Sequence, residues 1–264
     1  GFYDSPGSAQ SVAADAEYAY LADGHTGLRV IDISNPTTPT EVGSLDSVWA
    51  SDVAVSDGYA YVAAWSEGLI IVDVSDPSAP TDGFSYPTSS VAFHILVKDG
   101  YAFVTDGTEA RVRIVDIGDP TSPVAVGCLQ GMHWPSSGAL AVAEHYLYVV
   151  QRGLQVVDVS DPADPTAVDS YDWRGAVENL DALDEHVYVA GGKDGLLILR
   201  HVSRDDSIPP ATITDLTGIA GSTAGTVDLS WTAPGDDGLE GTATSYTVRY
   251  GDRAIVAESG WSLA

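Results

Sequence analysis

One stretch, Gly68–Pro80 (GLIIVDVSDPSAP), constrains the whole chain because it recurs. Gly27–Pro39 reads GLRVIDISNPTTP, Ala110–Pro123 reads ARVRIVDIGDPTSP, and Gly153–Pro165 reads GLQVVDVSDPADP. A worn fifth copy is Gly195–Val202, GLLILRHV. The aspartates that close the apolar run are Asp32, Asp73, Asp116 and Asp158, with Arg200 in the fifth slot, at steps of 41, 43, 42 and 42 residues. A unit repeated at about 40–45 residues is one four-stranded propeller blade, which cannot bury its own faces and must stack on its neighbours. The expected fold is therefore all-β, a five-bladed β-propeller over residues 1–202.

Each repeat has the same internal order. A short apolar run such as Asp52–Ser56 meets an Asp-Gly turn, then a tyrosine-rich strand such as Gly58–Ala63. A polar loop with glycine, the VDVS strand and a final strand such as Val42–Leu45 follow. Period-two alternation sets Tyr18 with Tyr20 and Tyr59 with Tyr61 on one face, and Tyr101 with Phe103 and Tyr146 with Tyr148 likewise. In the last repeat Val187 and Tyr188 hold that place, and packing between sheets is the role expected of all these residues. Pro36, Pro77, Pro120 and Pro162 lack the N–H that a ladder needs and end the third strand. The Asn35, Asp76, Asp119 and Asp161 before them suit turn initiation. Asp73 and its equivalents are expected to accept hydrogen bonds from the adjoining turn.

The last repeat offers strands near Asn179–Leu183, His186–Ala190 and Leu196–Val202, and no fourth. Gly1–Pro6 (GFYDSP) reads like a fourth strand running into Gln10–Ala14. The N-terminal segment is thus expected to complete the final blade and close the ring, removing open sheet edges.

Composition narrows the partners. Lys and Arg total 11 against 38 Asp and Glu, a net charge of −27 that repels phosphate backbones, so no nucleic-acid partner is expected. No apolar run reaches the length of a membrane span. Cys128 is the single cysteine, so no internal disulfide can form, and the core alone must hold the domain.

The four VDVSDP-type runs with their spaced second proline resemble the LVIVD repeats of bacterial and archaeal extracellular propellers. The resemblance implies an extracellular or cell-surface location and a propeller used as an interaction platform. It departs in the last copy, where Arg200 replaces aspartate. After a linker at 203–210, residues 211–264 resemble the front of a fibronectin type III domain. Strands are expected near Thr212–Thr217, at Thr226–Trp231 and at Ser245–Tyr250. Such sandwiches take about 100 residues, so either the chain continues beyond this half or strands from another molecule complete it. The second case would make the protein a filament subunit that self-assembles through its C-terminal segment.

The chain contains no nucleophile elbow, phosphate-cradling loop or His/Cys metal spacing, and the expectation is that it is not an enzyme. No cofactor is expected. A structural Ca²⁺ at Gly235–Gly238, through Asp236 and Asp237, is the one metal reading. His145 and His186 read as equivalent turn residues. The loops entering each first strand and those between second and third strands should share one propeller face, and there the repeats diverge. Trp49, Trp65, His94, His133, Trp134 and Trp173 are the candidate ligand-binding residues, with Met132 among them. Near the axis, Asp52 and its equivalents Ser11, His94, Ala139 and Leu180 lie close to Glu178 and Asn179. Asp52 and Asp181 are the weak candidates for catalytic carboxylates. Aromatics beside carboxylates suit sugars or peptides, so the expected partners are other protein chains or cell-surface glycans. A polysaccharide-binding or polysaccharide-degrading propeller is the further alternative, carried by fold analogy alone.

Overall fold

The computed structural model describes residues 1–88, 91–107, 111–130, 139–150, 153–172, 177, 179–184 and 186–200, with two short strands at 217–220 and 227–230. The chain divides into two compact units, Gly1–His201 and Val202–Ala264. In the first unit five sheets follow one another, each strand antiparallel to the next in sequence. The first sheet is Ser11–Ala14 (β1), Tyr18–Ala22 (β2), Leu28–Asp32 (β3) and Thr40–Leu45 (β4). Asp52–Ser56 (β5), Tyr59–Ala63 (β6), Leu69–Asp73 (β7) and Thr81–Tyr86 (β8) make the second. Ala92–Lys98 (β9), Tyr101–Asp106 (β10), Arg111–Asp116 (β11) and Val124–Leu129 (β12) make the third. The fourth holds Leu140–Ala143 (β13), Tyr146–Val150 (β14), Leu154–Asp158 (β15) and Thr166–Tyr171 (β16). The fifth has three strands, Asn179–Leu183 (β17), His186–Ala190 (β18) and Leu196–Arg200 (β19).

Local chemistry explains why the unit repeats so closely. Asp57–Gly58 and Asp99–Gly100 have φ of 50° and 79°, and 50° and 80°, the two left-handed residues of a type I′ hairpin. The strand-closing aspartates each accept a backbone N–H two residues on: Asp32 from Ser34 at 2.8 Å, Asp73 from Ser75 at 2.9 Å, Asp116 from Gly118 at 2.9 Å and Asp158 from Ser160 at 2.8 Å. Asp76 and Asp119, before the prolines, accept from Ser78 and Thr121 at 3.0 Å each. A β-bulge between the third and fourth strands recurs beside Val30, Ile71, Ile114 and Val156. It adds twist at one place in every four-stranded sheet.

The sheets are held by apolar cores between neighbours. Tyr20, Leu28 and Val30 pack with Val53, Val62 and Ile70; Tyr61 and Ile71 pack with Ile95 and Val104. Phe103 and Ile114 pack with Leu147 and Val149, and Tyr148 and Val156 with Leu180 and Val189. The aromatics of the second strands thus sit between sheets. In the fifth sheet the pairing changes the assignment. His186 opens β18 opposite Arg200 and matches Tyr59 and Tyr146, so the column there is His186 and Tyr188, with Val187 on the other face. His145 occupies the turn at the place of Gly58. The two histidines are therefore not equivalent: two residues separate the strands in both sheets, and His145 is the second of them while His186 opens the strand.

The expected N-terminal closure is not present as strand pairing. Gly1–Pro6 forms no strand, and among the described residues β19 pairs only with β18. The segment is held instead by side-chain contacts to the first sheet, where the buried Asp23 carboxylate accepts from the Ser5 hydroxyl at 2.6 Å and the Gly7 N–H at 2.8 Å. The Tyr3 hydroxyl donates to Glu41. A buried charge draws in whatever donors satisfy it, and these ones fasten the segment.

In the second unit Thr217–Ala220 (β20) and Val227–Ser230 (β21) pair antiparallel, from Thr217 opposite Ser230 to Ala220 opposite Val227. The first strand thus begins where the expected 212–217 stretch ends, and the second lies within the expected 226–231. The linker, the Gly235–Gly238 loop and the Ser245–Tyr250 strand fall outside the described residues. Among the described residues no helix is long and apolar enough to cross a membrane.

Candidate functional site

The loops between second and third strands share a frame in the first, second and fifth sheets. The N–H of Asp23, Ala64 and Gly191 donates to the carbonyl of Gly27, Gly68 and Gly195, at 2.9, 2.7 and 2.7 Å. The next residue is left-handed in each: Gly24 at φ 64°, Gly192 at φ 55° and Trp65 at φ 42°. Glycine adopts that backbone freely, whereas a bulky side chain there is strained by roughly 1–3 kcal/mol. Trp65 is fixed by the Ala92 N–H, which donates to its carbonyl at 2.8 Å. Gly24 is fixed by a pair of bonds with Ala50, at 3.0 and 2.9 Å. The two loop sets therefore meet, as the repeat pattern requires.

Three exposed aromatic rings on these loops form a row with exposed Phe93 at the start of β9. His25 lies 6.2 Å from Trp49, Trp49 6.0 Å from Trp65, and Trp65 5.0 Å from Phe93, centroid to centroid. The ring planes meet at 54°, 41° and 84°. Trp49 is 52% and Trp65 41% exposed. Tryptophan that only capped an inter-sheet core would be largely covered.

Beside the row, Asp52 Oδ1 accepts the Val53 N–H at 2.9 Å, and Oδ2 accepts the Ile95 N–H at 3.0 Å. His94 Nδ1 stands 3.5 Å from Asp52 Oδ2, and the His94 N–H donates to Thr105 Oγ1 at 2.9 Å. Asp52 thereby ties the inner strand of one sheet to that of the next. The pairing makes Asn179, opposite Ala190, the counterpart of Asp52 opposite Ala63. Leu180, expected in that slot, is buried one position further on.

Trp49 and Trp65 are thus brought together, whereas His94 faces Asp52. His133, Trp134, Trp173 and Met132 lie outside the described residues, as does Glu178. Two members of the row were missed, His25 as one of several scattered histidines and Phe93 because it directly precedes His94. The legible signal was an aromatic just before β5 and another at the start of β9. Among the described residues no cluster of three or more His, Cys, Asp or Glu could hold a metal.

Consecutive antiparallel sheets packed face to face, with two loop sets joined at one end, define a β-propeller. The LVIVD repeat model matches residues 6–47, 49–88, 91–130 and 136–173, more than half of the sequence. The chain belongs to the LVIVD repeat family. No curated protein matches the sequence. Among solved structures it is similar to the periplasmic gluconolactonase PpgL of Pseudomonas aeruginosa, at 13% identity and a TM-score of 0.62, covering 90% of this chain and 74% of that one. It is also similar to BamB of Moraxella catarrhalis, at 15% identity and a TM-score of 0.56, covering 89% and 76%. The computationally designed Ika8 protein is similar at 14% identity and a TM-score of 0.58, covering 92% and 78%. At these identities the likeness establishes the fold alone. It also corrects the expectation that the chain is not an enzyme: a lactonase carries the same fold, so nothing in the architecture excludes catalysis. The fibronectin type III resemblance of residues 211–264 gains no support, since the family match ends at residue 173.

Proposed function

We propose that this propeller is an extracellular or cell-surface interaction platform whose ligand face is the row His25–Trp49–Trp65–Phe93. One observation carries the reading. A tryptophan occupies a left-handed position that two sister loops give to glycine, and its ring is turned to solvent between two other aromatics. Strain retained at an exposed residue is characteristic of function. Family membership supports the location. The ligand is another protein chain or a cell-surface glycan. Screening the immobilised protein against glycan and peptide arrays tests this. Ligands held by the wild type should be lost by both Trp49→Ala and Trp65→Ala; retention by both variants removes the row from the site.

The ring is proposed to close with residues 1–6 as the fourth strand of the fifth sheet. Val12 is 62% exposed although its counterpart Val53 is buried, and Leu196 and Ile198 are 66% and 54% exposed although Leu28 and Val30 are buried. These uncovered faces are the ones that closure would join. Gly1 also lies against Pro36 and Pro39 of the first sheet's turn, as Gly43 lies against Pro77 and Pro80 of the second's. GFYDS of Gly1–Ser5 aligns with GSLDS of Gly43–Ser47, which would place Tyr3 opposite Leu196. A Tyr3→Cys, Leu196→Cys pair should form a disulfide under mild oxidation; free thiols in the folded protein would count against closure. For the second unit the reading remains a spacer or assembly module.

A further inference from the structure

The aromatic row allows its ligand class to be narrowed, and the argument rests on the reading of that row as the binding face. A run of pyranose rings stacks best on aromatic faces that share a plane. These rings do not share one: successive planes meet at 54°, 41° and 84°, and Trp65 and Phe93 form a corner with centroids 5.0 Å apart. Corners of this kind suit a cation, which one ring face attracts through its quadrupole while the neighbouring ring shields it from water.

Charge points the same way. The described residues 23–27, 46–51, 64–68 and 91–94 include Asp23, Asp46 and Glu67 and no lysine or arginine. Asp23 is buried and Asp46 is occupied by Arg29 at 2.9 Å, but Glu67 is exposed two positions beyond Trp65. Asp52 lies next along, facing His94, which directly follows Phe93. The whole chain carries a net charge of −27, a field that concentrates cations and repels anionic glycans. A neutral sugar would gain nothing from that field.

We propose that the row His25–Trp49–Trp65–Phe93 binds an extended, arginine- or lysine-bearing segment of another protein, its cationic side chains lodging in the corners between tilted rings. Successive ring centroids lie 6.2, 6.0 and 5.0 Å apart, close to the spacing of about 6.5 Å between same-face residues of an extended strand.

The test uses the full chain. A labelled peptide alternating arginine and serine, its glutamate–serine counterpart, and a neutral β-linked glucan oligosaccharide are titrated against the wild type, Trp49→Ala, Trp65→Ala and Phe84→Ala. Phe84 is an exposed aromatic on the outer strand β8, away from these loops. The basic peptide should bind in a salt-sensitive way and weaken about tenfold in each tryptophan variant, the equivalent of one or two lost cation–π contacts. Phe84→Ala should bind as the wild type does, and melting temperatures confirm that each variant is folded. Equal binding by all variants means that bulk charge alone attracts the peptide, and the inference falls. Glucan binding that needs both tryptophans, without peptide binding, overturns the inference and leaves the row as a site. If no probe binds, the inference falls, and the arrays above decide the row separately.

Discussion

Arg113 Nε stands 3.0 Å from Asp106 Oδ2, linking β11 to β10, and the two equivalent positions of the second sheet hold Ile70 and Ala64. The first sheet has Arg29 and Asp23 there, 3.9 Å apart, and the fifth has Leu197 and Gly191. Both charges are present or both are absent. Removing one partner of a largely buried pair takes away the other's counter-charge and costs up to about 3–5 kcal/mol, whereas replacing both with apolar groups is near neutral. Asp106→Ala should therefore lower the urea midpoint strongly, and Asp106→Ala with Arg113→Ile should recover most of it. A double variant as unstable as the single one would show that the pairing is not what these positions share.

A second prediction concerns the outer strands. A Cβ on Gly43 would strike the Pro77 carbonyl oxygen, and one on Gly127 the Pro162 carbonyl oxygen, both backbone atoms of the next sheet's turn. Glycine to alanine within a strand ordinarily stabilises, because the unfolded chain loses freedom. Here the sign should reverse. Gly43→Ala and Gly127→Ala should each destabilise by about 1–3 kcal/mol, the usual range for overpacking. Unchanged or raised thermal stability would mean that the sheets are not held this closely.

Acid should loosen the N-terminal segment. Burial pushes the Asp23 carboxyl up, but hydrogen bonds from Ser5, Thr26 and Gly7 and the Arg29 charge outweigh it, and the net direction is down. A folded pKa below the unfolded value of about 3.9 gives stabilisation that is complete above about pH 4 and lost as pH falls through the folded value. Deleting residues 1–7 should lower the melting temperature at pH 7 by several degrees, about what 1–2 kcal/mol produces in a domain this size. The gap between the deletion and the wild type should narrow below pH 4. Asp32, Asp73, Asp76, Asp119 and Asp158 are also shifted down, by hydrogen bonds from Ser34, Ser75, Ser78, Thr121 and Ser160, and they are common to both proteins. Identical melting at pH 7 would remove the anchoring role.

The repeat made the sheets readable because each strand boundary is set by local chemistry: Asp-Gly for the hairpin, Asp-Pro for the end of the third strand. β5, β17 and β18 fall where alternation places them. What alternation could not resolve was anything depending on a one-residue offset, as with His186 against His145 and Asn179 against Leu180. A two-residue turn without glycine carries no marker of where the next strand opens. The site was half legible. Trp49 and Trp65 stand out where the repeats diverge, but their joining with His25 and Phe93 requires loops from different sheets to meet. The Asp23 anchor was invisible, since Ser5 and Gly7 reach it through the fold and no sequence spacing announces them.

The last prediction separates the backbone of Trp65 from its ring. Its φ of 42° lies where Gly24 and Gly192 sit in the sister loops. Any Cβ in that region meets the following carbonyl oxygen, at a cost of about 1–2 kcal/mol that glycine escapes. Trp65→Ala and Trp65→Gly both delete the ring, so their difference reports the backbone alone. Trp65→Gly should be the more stable of the two by about 1 kcal/mol, although glycine normally weakens a protein relative to alanine. Both should lose binding at the row to the same extent. If alanine matches or exceeds glycine in thermal stability, the left-handed turn is unstrained there. The tryptophan would then need no functional explanation for its place.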